Sequence, residues 1–480
     1  MKTKQYLLIS FVAAWALLLM AFSGSEGRAV PRPDDDSLPL LIFKAREHKG
    51  KSAVSTSGLV SLTTGFDNDH YYLDSSGRTG YLYIETKLAA FRSQQLKRVP
   101  LNISIVIDRS GSMTGTKMGY AKKAARNIID LLGEEDYVSI VMYDNVVDSV
   151  QGPVRVKDKA SIQSKIDAIR PRGGTNLWGG TEKGYEFVRQ QYRPGYVNRV
   201  LLISDGLANI GITDSSLIRL KVEQFKNDVG ITLSTFGVGL DYNEKLMTDM
   251  AETGAGNYYF IDAPEKTGEI FNRELNGLSN IAAQEATLRI KLPKGISIIQ
   301  GYPLRFQQQG DEAIITLRDL FADDTKATLF RFRIADRHQT PLKIVTTLRY
   351  TDVTDGQTRT LVNENHLTPV RNVDAYLTHF NKPVVVQAIL YTANENLEKA
   401  MLEVDRGEYA EAQRFLNANT ATFRINSSYI LESPELRHMD SVNTGYILQA
   451  GRGRSMSADS MKMMQKSNRA INYRIRSKKQ

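Results

Sequence analysis

Five oxygen-bearing side chains stand out, because their types and spacing suit the holding of a hard divalent cation. Asp108, Ser110 and Ser112 occupy every second position of Asp108-Arg109-Ser110-Gly111-Ser112-Met113, directly after the apolar run Ile103-Ser104-Ile105-Val106-Ile107. In an extended turn, positions two apart point the same way, so one carboxylate and two hydroxyls converge. Two further loops carry groups of the same kind. Gly173-Gly174-Thr175-Asn176-Leu177 precedes a helix pattern, and Ser204-Asp205-Gly206 follows the apolar run 200–203. Oxygen-only ligands suit Mg2+ first, then Mn2+ or Ca2+, and they disfavour softer metals. Each motif alone has a plainer use: Asp108 or a serine as the cap of the next helix, Thr175 as a cap, Asp205-Gly206 as a turn. All three at strand ends of one scaffold argue for the cation.

The flanking pattern must bring those loops to a single edge. From Leu101 onward, apolar runs of strand length alternate with amphipathic stretches of helix length. Met118, Ala121, Ala125, Ile128 and Leu132 keep helical spacing, as do 162–169, 217–225 and 246–250, whereas 137–142, 199–203, 231–238 and 258–261 read as strands. Strands buried on both faces and alternating with helices predict a largely parallel, doubly wound α/β sheet over 98–280. Ligands of such sheets bind beyond the carboxyl ends of the strands, where all three loops fall.

Around this block the period is two. Short strand patterns occupy 57–97, at 59–62, 71–73 and 81–84, with a turn at Ser75-Ser76-Gly77; similar strands fill 285–362. Similar strands on both sides predict an antiparallel β-sandwich with the α/β domain inserted into it. Alternating Arg and Lys in the later strands read as a solvated outer face. Residues 363–450 return to helical spacing, and Gly407-Glu408-Tyr409-Ala410-Glu411-Ala412 reads as the turn of one helical hairpin packed on the sandwich. A single tetratricopeptide-like unit is too few to stand alone. Residues 25–56, with Pro31, Pro33 and Asp34-Asp35-Asp36, read as a linker or loosely docked segment, and 451–480 as a basic tail that is disordered or partner-dependent.

The metal-site motifs in this order, with Phe236-Gly237-Val238-Gly239, Asp241 and Leu246 after them, resemble the von Willebrand factor type A domain and its metal-ion-dependent adhesion site. The resemblance covers about 98–280 and fills all five site positions. It implies a Rossmann-like fold in which hydroxyls matching Ser110 and Ser112 bind the ion directly. Thr175 would bind directly or through water, and Asp108 and Asp205 largely through water and by charge. It also implies that a vacant position on the ion takes a carboxylate from a protein partner. The wider layout is similar to exported bacterial proteins of this family and, more loosely, to the heavy chains of inter-alpha-trypsin inhibitor.

Composition narrows the remaining choices. The 480 residues include no cysteine, which excludes disulfide frameworks, zinc–thiolate sites and thiol catalysis. Formal net charge is +9, and residues 451–480, with nine Lys or Arg and one Asp, carry eight of those charges. The body is nearly neutral, so a nucleic-acid partner is not expected. Lys2 and Lys4 precede an apolar run over 7–22 and then Ser23-Gly24-Ser25, the layout of a signal peptide over 1–24. Left uncleaved, it would anchor the chain in a membrane. Export without cysteine fits a bacterial periplasm or cell surface. The six histidines at 48, 70, 338, 366, 379 and 438 are scattered, and the chain has no H-E-x-x-H, G-x-S-x-G or P-loop, so no enzyme is expected. Two functions remain: a metal-dependent adhesion or protein-binding module, or a structural component of an envelope assembly with a purely structural metal site.

Overall fold

A computed structural model describes residues 43 and 45–478, apart from 74–77, 90–97, 240–241, 262–267, 273, 275–280, 323, 336–337 and 453–456. The expected signal peptide, most of the expected linker, the Ser75-Ser76-Gly77 turn and Asp241 lie outside the described residues.

The chain begins a sandwich, leaves it, and returns. Strands β1 (Ala53–Ser57), β2 (Val60–Phe66), β3 (His70–Tyr72) and β4 (Thr79–Leu88) come first. An α/β domain follows: β5 (Leu101–Asp108), α1 (Thr116–Leu131), β6 (Tyr137–Tyr143), β7 (Val147–Arg155), α2 (Lys159–Asp167), α3 (Leu177–Gln190), β8 (Val197–Ser204), α4 (Ser215–Gln224), β9 (Thr232–Val238), α5 (Glu244–Thr253) and β10 (Ala255–Ile261). The sandwich resumes with β11 (Ile281–Lys291), β12 (Ile296–Tyr302), β13 (Gln307–Gln309), β14 (Glu312–Phe321), β15 (Thr325–Ile334), β16 (Leu342–Asp352) and β17 (Thr358–Val370). Helices α6 (Val373–Thr378), α7 (Lys382–Asp405), α8 (Tyr409–Ile425), α9 (Ser427–Glu432), α10 (Pro434–Arg452) and α11 (Ala458–Ser477) complete it.

Sheet topology makes the insertion explicit. One sandwich sheet runs β1-β2-β4-β15-β12, so β4 from before the α/β domain pairs with β15 from after it, Ile84 opposite Thr328. The other runs β13-β14-β11-β16-β17-β3, and both face a shared core that includes Leu62, Ile84, Leu288, Phe330 and Leu348. On the outer face Arg289 pairs with Glu312 and Lys343 with Glu364, matching the alternating cations. The expected β boundary at 362 falls short: β17 continues to Val370, because its last residues pair in parallel with β3.

The inserted sheet has the order β10-β9-β8-β5-β6-β7, parallel except for edge strand β7. Every residue of β5 is buried. Ile103, Ile105 and Ile107 enter one core with Met118, Ala125 and Ile128 of α1, while Val106 enters the opposite core with Trp178 and Tyr185 of α3. A strand loaded on both faces this way gains about 1.5–3 kcal/mol per large apolar side chain buried. It therefore holds the loop that follows it firmly.

One expectation is narrowed and two more are corrected. Among the described residues of 25–56, Phe43 is buried and its backbone N–H donates to Asn426 Oδ1, and 53–56 lie in sheet strand β1, so these described residues follow the docked reading and not the linker one. The helical region is more than one hairpin: α7 packs on α8, α10 and α11 and also on β4 and β15. The supposed tail contains a 20-residue helix, α11, whose Tyr473 is buried in the α3/α5 core of the α/β domain. Its cations find distant acids, Arg476 with Glu252 and with Glu398 at 2.6 Å, Arg469 with Asp405 and Glu244. A charge count along the sequence cannot see partners supplied by other elements.

Candidate metal centre

Strand β5 delivers Asp108 to the carboxyl edge of the sheet, fully buried. Its Oδ1 accepts from the Ser110 backbone N–H at 2.8 Å, which bends the chain so that the Ser110 and Ser112 hydroxyl oxygens come within 3.0 Å of each other. Its Oδ2 accepts from the hydroxyls of Ser204 (2.6 Å) and Tyr143 (3.1 Å), at the ends of the two strands flanking β5. Burial pushes the Asp108 carboxyl up to about 6, against the lowering effect of its bonds to Ser110 and Ser204, and the nearby charge of Asp205 adds to the rise. A cation placed here would relieve both effects.

The loop carrying Thr175 is stitched to this turn. Gly111 donates to the Gly173 carbonyl at 2.9 Å, and Arg172 donates to the Arg109 carbonyl at 2.7 Å. Arg109 is aimed away from the centre, where it and Arg172 both bind Asp144 Oδ2, at 2.9 and 2.6 Å. Gly173 has a φ of +69°, and a Cβ there would overlap the Asn145 amide, so glycine is required. Thr175 is buried, its N–H donating to Asn209 Oδ1 at 2.7 Å and its carbonyl accepting from Asn209 and Ile210.

Asp205 follows β8, also fully buried. Gly206, at φ +66°, turns the chain and donates to Ser204 Oγ at 2.8 Å, and the Asp205 carbonyl accepts from Asn243 at 3.0 Å. Asp205 Oδ2 receives the Lys117 ammonium at 3.1 Å, whereas its Oδ1 is buried with no hydrogen-bond partner. A buried carboxylate oxygen left unpaired is costly, and a divalent cation is the partner its chemistry calls for. The donor set therefore fits a hard ion.

The two capping uses of these residues do not hold, while Gly206 does turn the chain after Asp205. Helix α1 starts at Gly115 with no side-chain cap, so neither Asp108 nor a serine caps it, and Asn176, not Thr175, caps α3 by accepting from Gly179. Trp178 is a core residue, 2% exposed. Tyr143, Ser204, Lys117 and the Arg109–Asp144–Arg172 cluster were not singled out from the sequence as parts of the centre. Ser204 and Arg109 lie inside the sequence motifs themselves, but Tyr143 and Lys117 reach the site only through folding.

Residues 102–273 match the family model of the von Willebrand factor type A domain. An uncharacterized Escherichia coli protein, YfbK, is 32% identical over 192 residues, which is 40% of this chain and 33% of the relative. An uncharacterized Synechocystis protein, sll0103, is 26% identical over 308 residues, 62% of this chain and 72% of the relative. Human inter-alpha-trypsin inhibitor heavy chain H2 is 27% identical over 197 residues, 39% of this chain and 21% of its own length. The chain thus spans about a third of the Escherichia coli relative and a fifth of the heavy chain. A solved von Willebrand factor type A protein from Catenulispora acidiphila superposes with a TM-score of 0.64 at 15% identity, over 82% of this chain and 91% of that one; this likeness is one of fold.

Proposed function

With residues 102–273 established as a von Willebrand factor type A domain, we propose that this chain is an exported, metal-dependent protein-binding module. Domains of this family are often interaction modules. The finer reading is that Asp108, Ser110, Ser112, Thr175 and Asp205 together hold one divalent cation, Mg2+ before Mn2+ or Ca2+. The observation that carries it is the unpartnered, buried Oδ1 of Asp205 beside a cluster of oxygen donors.

The physics of the donor set says what such an ion would do. Three of the five donors are neutral hydroxyls, so the ion keeps much of its positive charge, and Mg2+ completes about six oxygen ligands. A carboxylate from a partner protein supplies both the missing charge and the missing ligand. The chain's own residues would hold and orient the ion, and we read the site as binding, not catalytic. Export rests on the basic and apolar N-terminal pattern and the lack of cysteine. No helix among the described residues is long and apolar enough to cross a membrane.

The test is capture of partners from an envelope extract with Mg2+ and with EDTA, using the intact protein and Asp205→Ala. Metal-dependent retention lost in Asp205→Ala, with the fold intact by circular dichroism, supports the bridge. Full retention by that variant overturns it. If the variant instead unfolds and no partner is ever retained, the cation is a structural element of an envelope component.

A further inference from the structure

The histidines are scattered in sequence, but two of them meet in space. His70, which opens β3, and His379, just after α6, stack with ring centroids 3.7 Å apart and planes inclined by 30°. Asp69 lies beside them. One nitrogen of each ring and one carboxylate oxygen fall within 4.8 Å of one another, the only such trio of metal-ligating side chains among the described residues. We propose that Asp69, His70 and His379 form a second metal site, for a borderline divalent transition ion of the Zn2+ class, separate from the oxygen-lined edge of the α/β domain.

The hydrogen bonds around the trio are those a ligating histidine needs. His379 Nδ1 lies 2.8 Å from the Ala375 carbonyl, which can only accept, so Nδ1 carries the proton and Nε2 keeps its lone pair. His70 Nδ1 lies 2.6 Å from Asp69 Oδ1. His379, held by a carbonyl on one nitrogen, has the usual support of a ligating histidine, whereas the His70–Asp69 contact brings two of the three ligating groups together. Two imidazoles and one carboxylate favour Zn2+ or its neighbours over Mg2+, which prefers oxygen alone. Three protein ligands leave the fourth tetrahedral position for water.

The backbone already holds both halves in place. Residues 48 and 379 form one antiparallel bridge and residues 68 and 380 another, Asn381 donates to the Asp67 carbonyl at 2.8 Å, and Asn68 Nδ2 donates to the Tyr376 carbonyl at 2.9 Å. The Asp69 carbonyl accepts from Thr368 at 2.8 Å. The site is also reachable, since the side chains of His70 and Asp69 are 16% and 32% exposed. A bound ion would staple the edge strand β3 to the turn that leads into α7, and so would tie the sandwich to the helical region.

The experiment is calorimetric titration of the full chain with ZnCl2 in excess Mg2+, which occupies oxygen-only sites, alongside Co2+ as a spectroscopic probe. The expected result is one Zn2+ per chain, a visible Co2+ absorption typical of nitrogen and oxygen ligation, and a melting temperature raised by Zn2+. Binding should survive Asp205→Ala and weaken by at least about tenfold in His70→Ala and in His379→Ala. Unchanged binding in both histidine variants overturns the site. So does the absence of the Co2+ band in the unmodified protein, a readout that stands even if a variant fails to fold.

Discussion

The hydroxyl oxygen of Tyr473 accepts a 3.1 Å hydrogen bond from the backbone N–H of Tyr258, joining the last helix to edge strand β10 across 215 positions of sequence. The two rings meet edge to face at 5.6 Å. Helix α11 is thereby part of the α/β domain's core. Lys466 reinforces the contact, its ammonium 3.4 Å from the ring centroid of Tyr242, in the segment leading into α5.

Tyr473→Ala should cost about 3–5 kcal/mol, the range for removing a large buried aromatic, and Tyr473→Phe only about 1 kcal/mol for the lost acceptor. Removal of 451–480 should cost more than either. Denaturant titration measures all three. Unchanged stability on truncation would return the segment to the role of a basic tail.

Lys117 would compete with the proposed cation for Asp205. Its ammonium lies 3.1 Å from Oδ2 and is mostly shielded from solvent, so a divalent cation arriving at that carboxylate meets a positive charge already seated there. Lys117→Met should raise cation affinity by about three- to tenfold, read by calorimetric titration with Mg2+ or Mn2+. A fall in affinity would mean that Lys117 orients Asp205 for the ion.

Gly180→Ala should destabilise, against the usual gain of alanine inside a helix. A Cβ at this position of α3 would overlap the Tyr143 ring. That ring cannot retreat without breaking its hydroxyl bond to Asp108. The cost should be about 1–3 kcal/mol, with weaker cation binding alongside it. Thermal melts with and without Mg2+ separate the two effects.

Asp67 sets a pH dependence of its own. Burial pushes its carboxyl up to about 7, despite the backbone N–H of Tyr81 bonding to it at 2.7 Å. The folded state keeps a proton that the unfolded chain has lost above about 4. Stability from this group is therefore full at low pH and drains away as pH rises through 7. Asp67→Asn should flatten the change in stability between about pH 5 and 8 and leave the variant about 1–2 kcal/mol more stable than the parent at the upper end. Parallel pH profiles for the two proteins would refute the assignment.

Much of the α/β domain could be read from the residues alone, because its information is local. A strand buried on both faces must be apolar at successive positions, as in Ile103 to Ile107, and the groups that follow it must emerge at the sheet edge. Asp108, Ser110 and Ser112 are thus legible from spacing, and the strands before and after the domain announce a sandwich by their period of two. What folding alone decided are the partnerships between distant segments. Nothing near Lys117 in the chain points to Asp205, and nothing near Tyr143 points to Asp108. The cations of α11 looked like a solvated tail because their acids, Glu252 and Glu398, lie on α5 and α7. His70 and His379 looked isolated because strand pairing, not sequence spacing, stacks them. Side-chain periodicity reports which face of an element is buried; only the packed chain fixes which other element covers it, and so which charges and lone pairs are matched.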